Sequence, residues 1–136
     1  MASLPSSSER PRVLLVDDNK AILARASVVL ARGCTVVGTA SDGWSALRAA
    51  EALHPDVIVL DISMPGMTGF ELAAELRHSG STAALVFLTI HAEEDYVAAA
   101  RDAGAIGYVV KPRLRADLMH AVEEARAGRA FVSALH

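Results

Sequence analysis

Five short apolar runs, Val13–Val16, Thr35–Val37, Val57–Leu60, Leu85–Leu88 and Ile106–Val110, recur every twenty-odd residues along the chain. Runs that are apolar throughout, rather than alternating, belong to strands buried on both faces, the situation of a parallel sheet covered by helices. The segments between them carry helical periodicity. Ile22, Ala26, Val29 and Leu30 make one stripe, with Gly33 as a stop. Ala46, Leu47, Ala50 and Leu53 make a second, halted by Pro55, and Thr68 with Glu71 forms a capping box ahead of Leu72, Ala73 and Leu76. Glu93–Ala103 is the fourth segment, closed by Gly104. Leu114, Leu118, Ala121, Val122 and Ala125 mark the fifth, closed by Gly128. Each gap is long enough for the right-handed crossover that parallel neighbours need. The pattern predicts a doubly wound α/β domain, (βα)5, with the flavodoxin-like strand order 2-1-3-4-5.

Length and composition agree with one domain. A chain of 136 residues, 52% apolar, buries roughly two-thirds of its unfolded surface without help from a metal or disulfide. The lone Cys34 excludes an internal disulfide framework and suits a reducing compartment. Thirteen Lys and Arg against sixteen Asp and Glu leave −3, which speaks against direct nucleic-acid contact. The longest purely apolar run, Ala83–Leu88, is far short of the roughly 20 residues that cross a bilayer. Residues 1–10 are serine-rich without periodicity and read as a flexible tail without the marks of a secretory signal. The expected organisation is a tail over 1–10, a domain over 11–128, and an extension or linker over 129–136, in a cytoplasmic protein without a membrane partner.

In open α/β sheets ligands bind beyond the carboxyl ends of the strands, where strand order reverses. The residues at those ends are few: Asp17 and Asp18, then Asp61, Thr89 and Lys111. Three carboxylates in one crevice repel one another unless a cation joins them, and an all-oxygen donor set suits Mg2+. With a hydroxyl and an ammonium beside it, such a site fits phosphoryl chemistry, in which a carboxylate can be the nucleophile. Each residue alone also has a plain structural reading. Asp17-Asp18-Asn19 could be a helix cap, Asp61 a loop aspartate, Thr89 a structural hydroxyl and Lys111 a solvated charge. Their joint placement at successive strand ends is what those readings leave unexplained.

With these residues in place, the chain from about Arg12 to Gly128 resembles the receiver domain of a two-component response regulator. The motifs are Asp17-Asp18 after VLLV, Asp61 in VIVLDISMPGMTGFE, Thr89 in VFLTIH, and Lys111-Pro112 after GYVV. The resemblance implies that Asp61 accepts a phosphoryl group from a sensor histidine kinase. It implies that Asp17, Asp18, Asp61 and the backbone carbonyl of Ser63 hold Mg2+. Thr89 and Lys111 are then expected to hold phosphoryl oxygens, and Tyr108 to respond by moving its ring inward. A cis Lys111–Pro112 peptide is expected, and output at the face of the fourth helix, fifth strand and fifth helix. Such a domain is a signalling switch that at most catalyses its own phosphorylation and dephosphorylation.

LMHAVEEARAGRAFVSALH is similar to the segment closing NarL/FixJ-type (LuxR-type) receivers ahead of a helix-turn-helix output domain. The expectation is either a stand-alone receiver or, by preference, the receiver of a longer transcription factor whose output lies outside this chain, with a homodimer as a further expectation. Ile90, where the family usually has a small residue, is expected to narrow access to the site. The alternative is therefore an atypical receiver acting as a phosphorylation-independent interaction module. His91 and Ser63 occupy positions expected to tune the lifetime of the phosphoryl bond.

Other readings fit less well. An aspartate-nucleophile phosphatase wants a second aspartate where Ser63 stands, and a flavodoxin-like cofactor binder wants a glycine- and hydroxyl-rich loop in place of Asp17-Asp18-Asn19. His54, His78, His91, His120 and His136 show no metal-ligand spacing and read as surface groups. Trp44 reads as packing, and Arg113, Arg115, Arg126 and Arg129, balanced by Asp117, Glu123 and Glu124, as a solvated face.

Overall fold

A computed structural model describes residues 10–135. Residues 1–9 of the expected tail, and His136, lie outside the described residues. Strands β1 (Arg12–Val16), β2 (Thr35–Ala40), β3 (Val57–Leu60), β4 (Ala84–Thr89) and β5 (Gly107–Val110) alternate with helices α1 (Lys20–Leu30), α2 (Gly43–Leu53), α3 (Gly69–His78), α4 (Glu94–Asp102) and α5 (Leu114–Arg126). All pairings are parallel. The order 2-1-3-4-5 holds, extended by a short sixth strand, β6 (Phe131–Val132), beside β5. This is an addition to the five-stranded expectation: two residues of the segment read as an extension pair with the sheet edge. With only two residues, Phe131 and Val132, the strand carries too little periodicity to announce itself.

The apolar runs divide by face. Leu14, Val16, Ile58, Leu60 and Phe87 pack under α2, α3 and α4, while Val13, Leu15, Val57, Val59, Val86 and Val109 pack under α1 and α5. The middle strands are therefore apolar at every position between their ends, Arg12 opening β1 and Thr89 closing β4. Edge strand β2 is only partly buried until Ala40.

Helix ends follow local chemistry. Asn19 caps α1 by accepting from Ala21 and Ile22, and Thr68 and Glu71 complete the capping box of α3. Gly104 (φ +100°) and Gly128 (φ +81°) take the left-handed conformation just after α4 and α5. Gly33 does not, because α1 has already ended at Ala31.

Three further expectations change. Trp44 is 62% exposed rather than packed, because it opens α2 on the face turned from the sheet, beside buried Gly43. The Lys111–Pro112 peptide is trans, and Lys111–Arg113 winds into a 3-10 turn with Pro112 at its start, where a missing N–H costs nothing. Arg10, assigned to the tail, donates to the Ala31 carbonyl at the end of α1 (2.7 Å).

Candidate functional site

All carboxyl ends of a parallel sheet point the same way, so the residues following β1, β3, β4 and β5 meet along one edge. Backbone bonds lock the positions. The Asp17 N–H donates to the Ala40 carbonyl (3.0 Å), and the Asp61 N–H donates to the Val16 carbonyl (3.2 Å), stitching Asp61 beside Asp17. The start of α3 presses on the same stretch. The Gly69 N–H donates to the Ile62 carbonyl (2.7 Å), and a Cβ at Gly69 would collide with the Asp61 carbonyl oxygen. Glycine is therefore required there by close backbone approach.

Four charged groups converge. Lys111 Nζ lies 3.0 Å from Asp61 Oδ2 and 3.0 Å from Asp17 Oδ2. One oxygen from each of Asp17, Asp18 and Asp61 falls within 4.8 Å of the others. Asp17 and Asp61 are buried, at 2% and 5% exposure, whereas Asp18 is exposed at the rim. The remaining oxygens are aimed by the backbone: Asp17 Oδ1 accepts from the Asn19 N–H (2.9 Å), and Asp61 Oδ1 from the Ile62 N–H (2.7 Å).

Three carboxylates against one ammonium leave the crevice two negative charges in excess. Burial, with repulsion from Asp61, pushes the Asp17 carboxyl up against the pull of Asn19 and Lys111. Burial works to lower the Lys111 pKa, but hydrogen bonds to Asp61 and Asp17 outweigh it and hold the ammonium above its usual value. Asp17 Oδ2 is buried and meets only the Lys111 ammonium, 3.0 Å away, with no second donor among the described residues. A double negative excess and an all-oxygen donor set, with one oxygen from each of Asp17, Asp18 and Asp61 within 4.8 Å of the others, together fit a hard divalent cation.

The opposite wall is built from the loop after β4. Thr89 is fully buried, and its Oγ1 accepts from the His91 N–H (3.4 Å). The His91 ring stacks on Tyr96 (centroids 4.1 Å apart, 11° between planes), and its Nε2 lies 3.1 Å from Ser63 Oγ across the crevice mouth. Tyr108 is 2% exposed and donates its hydroxyl to the His91 carbonyl (2.8 Å). Burial pushes its phenol up to about 12. The ring thus already occupies the inward position. Ile90 is 67% exposed, and the shallow depression of about 640 Å3 over the site is walled on that side by His91 and Tyr96.

Of the residues singled out in the sequence, Asp17, Asp18, Asp61 and Lys111 come together directly, Thr89 and Tyr108 lie behind them, and the exposed Ser63 sits at the rim. Gly69 went unassigned; its signal was a glycine opening a helix where a capped start tolerates any residue. Asp117 was also missed. It is 8% exposed, where a solvated face was expected, and its signal was a charged residue at the core-facing spacing of Leu114, Leu118 and Ala121.

Comparison with known proteins accords with this geometry. The family profile of the response regulator receiver domain matches residues 13–123. The nitrate/nitrite response regulator protein NarL of Escherichia coli K12 is 35% identical over 130 residues, covering 94% of this chain and 60% of that protein. The transcriptional regulatory protein PdtaR of Mycobacterium tuberculosis is 37% identical over 115 residues, covering 83% and 56%. The chain therefore spans about 60% or less of the length of these relatives. Among solved structures, the signal receiver domain of the putative response regulator NarL of Mycobacterium tuberculosis superposes with a TM-score of 0.83 at 33% identity, covering 89% of this chain and 99% of that one. A LuxR-family two-component response regulator from Aurantimonas superposes with a TM-score of 0.85 at 32% identity, covering 90% and 89%.

Proposed function

The chain belongs to the response regulator receiver domain family, and from that premise we propose that it is a switch set by phosphoryl transfer to Asp61. The observation that carries this reading is the bridge of Lys111 Nζ, 3.0 Å from both Asp17 and Asp61, within a cluster of three carboxylates that one ammonium does not neutralise. Asp17, Asp18 and Asp61, with the Ser63 carbonyl, are the residues to hold Mg2+, which when bound supplies neutralisation of the charge gathered in the crevice.

The protein's own groups do the rest. Asp61 is aimed from one side by the Ile62 N–H and from the other by Lys111. A carboxylate oxygen gives its electron pair to phosphorus, and the bond from phosphorus to the donor breaks with its pair leaving on the donor. A sensor kinase's phosphohistidine, or a small acyl phosphate, serves as donor. The acylphosphate brings about −1.5 to −2 charges into the crevice, which Lys111 and the Thr89 hydroxyl are positioned to meet. Thr89 shares the β4–α4 loop with His91, whose carbonyl holds the Tyr108 hydroxyl, so a shift of Thr89 bears directly on the buried tyrosine. The output is read by an effector, which the sequence implies is a helix-turn-helix DNA-binding domain, and a cytoplasmic location suits that role. Among the described residues no helix is long and apolar enough to cross a membrane.

The phosphorylation-independent reading rests on Ile90 narrowing the site; Ile90 is 67% exposed and does not line the depression over it, which favours the phosphoacceptor reading. The test is direct. Incubation with Mg2+ and acetyl phosphate is expected to add one phosphoryl group, seen in intact-mass spectra as a shift of about 80 Da. The shift is absent in Asp61→Asn and on chelation of Mg2+. An unmodified mass for the wild-type chain defeats the proposal.

A further inference from the structure

The segment after α5 does more than end the helix. Its backbone joins the sheet through the Phe131 N–H to the Ile106 carbonyl (3.1 Å) and the Ser133 N–H to the Tyr108 carbonyl (2.8 Å). Ser133, only 3% exposed, then turns its hydroxyl inward. Its Oγ accepts from the Val110 N–H (3.3 Å) and donates to Asp117 Oδ2 (2.7 Å). Asp117 also grips Arg113 with both oxygens, at 2.8 and 3.2 Å. Two residues held by this network, Val110 and Arg113, bracket Lys111. The hydrogen bond from Arg113, assisted by that from Ser133, keeps the Asp117 carboxyl below its ordinary range despite burial.

We propose that Ser133 and Asp117 are positioning residues for Lys111, fixing the end of β5 and the 111–113 turn so that the ammonium bridges Asp17 and Asp61. The inference rests on the phosphoacceptor reading and deepens it. A lysine side chain has four rotatable bonds, so its reach to two carboxylates at once is reproducible only if its backbone origin is fixed. The usual strand partners cannot fix it, because Val110 is the last ladder residue of β5 and a proline follows Lys111. The Ser133 hydroxyl, just past the neighbouring edge strand β6, supplies the missing partner to the Val110 N–H. By reciprocity the same bonds couple occupancy of Asp61 to the fastening of β6, the last strand before the chain leaves the sheet.

The experiment follows the adduct at Asp61 by intact mass with Mg2+ and acetyl phosphate. Ser133→Ala is expected to slow its formation about fivefold, the worth of one ordinary hydrogen bond. Ser133→Thr, which keeps the hydroxyl, restores most of the rate. Arg129→Ala removes the exposed pair with Glu124 (2.9 Å) that fastens the same segment, and leaves the rate unchanged. In the wild-type chain, amide exchange at Phe131 and Ser133 is expected to slow when Mg2+ and beryllofluoride are added. Equal rates for wild type and Ser133→Ala overturn the proposal, as does an Arg129→Ala as slow as Ser133→Ala. Should Ser133→Ala fail to unfold cooperatively in urea, wild-type exchange decides: no change at Phe131 and Ser133 while the adduct forms overturns it. Failure of the wild-type chain to form any adduct defeats the phosphoacceptor reading itself, and this inference with it.

Discussion

Asp17 and Asp117 are both buried aspartates near the carboxyl end of the sheet, both beside a cation, and they are opposites. Asp117 has every oxygen engaged: Arg113 takes both, Ser133 shares one, and its carboxyl is held below the usual range. Asp17 has only an ammonium shared with Asp61 at one oxygen, a second carboxylate as neighbour, and a carboxyl pushed up by burial. A buried charge kept for structure is surrounded until its desolvation is offset. A buried charge kept for chemistry is left short of partners, and the shortfall is what a cation or a phosphoryl group satisfies. Both kinds of site meet at Lys111: Asp17 lies 3.0 Å from its Nζ, and Asp117 holds Arg113 two residues further on.

The sharpest way to break this contrast is to remove each carboxylate. Asp117→Ala strips Ser133 and Arg113 of their acceptor and is expected to cost about 2–3 kcal/mol in urea unfolding. Asp17→Asn in the absence of divalent cations is expected to leave stability unchanged or raise it by up to about 1 kcal/mol, because an amide oxygen still serves the Asn19 N–H and a repulsive charge is gone. If both substitutions destabilise alike, the two aspartates are the same kind of residue and the contrast fails.

Mg2+ sharpens it from the other side. A ligand bound only by the folded chain stabilises it by about 1.4 kcal/mol at ten times its dissociation constant. That gain is expected for wild type and for Arg113→Ala, and is expected to be lost in Asp17→Asn with Asp18→Asn. Melting curves with and without the cation measure it.

The smallest effect is in pH, and the two signs oppose. The folded Asp117 carboxyl lies below its ordinary 3.8, so its contribution is complete above that value and is lost as pH falls through the lower folded one. The folded Asp17 carboxyl lies above 3.8, so its contribution is complete below that value and is lost as pH rises through the higher folded one. Metal-free protein is thus expected to gain slightly in stability on mild acidification from neutrality, then lose it below pH 3.8. Asp17→Asn removes the gain and leaves the loss. A monotonic fall in the wild-type chain contradicts the sign assigned to Asp17.

Much of this was open to reading in the chain itself. The runs Val13–Val16 and Val57–Leu60 and the stripe from Leu114 to Ala125 name a covered parallel sheet, because burial on two faces forbids polar residues along the middle strands. Asp17, Asp61 and Lys111 stand out for the same reason: each is the first polar residue where such a run stops. The Asp117–Ser133 clasp was less visible. A charged residue on the buried stripe of α5 is a local anomaly, but its partner lies sixteen residues on, in a stretch with no period.

Sequence alone thus determined which residues are buried and at which strand ends polar groups emerge, since hydrophobic periodicity and chain connectivity are local properties. Only the tertiary structure decided which polar groups face one another. That depends on Lys111 reaching Asp17 and Asp61 at once and on a two-residue strand closing against β5. Those contacts join residues far apart in the chain, and distance through space is what sets the strength of a charge interaction.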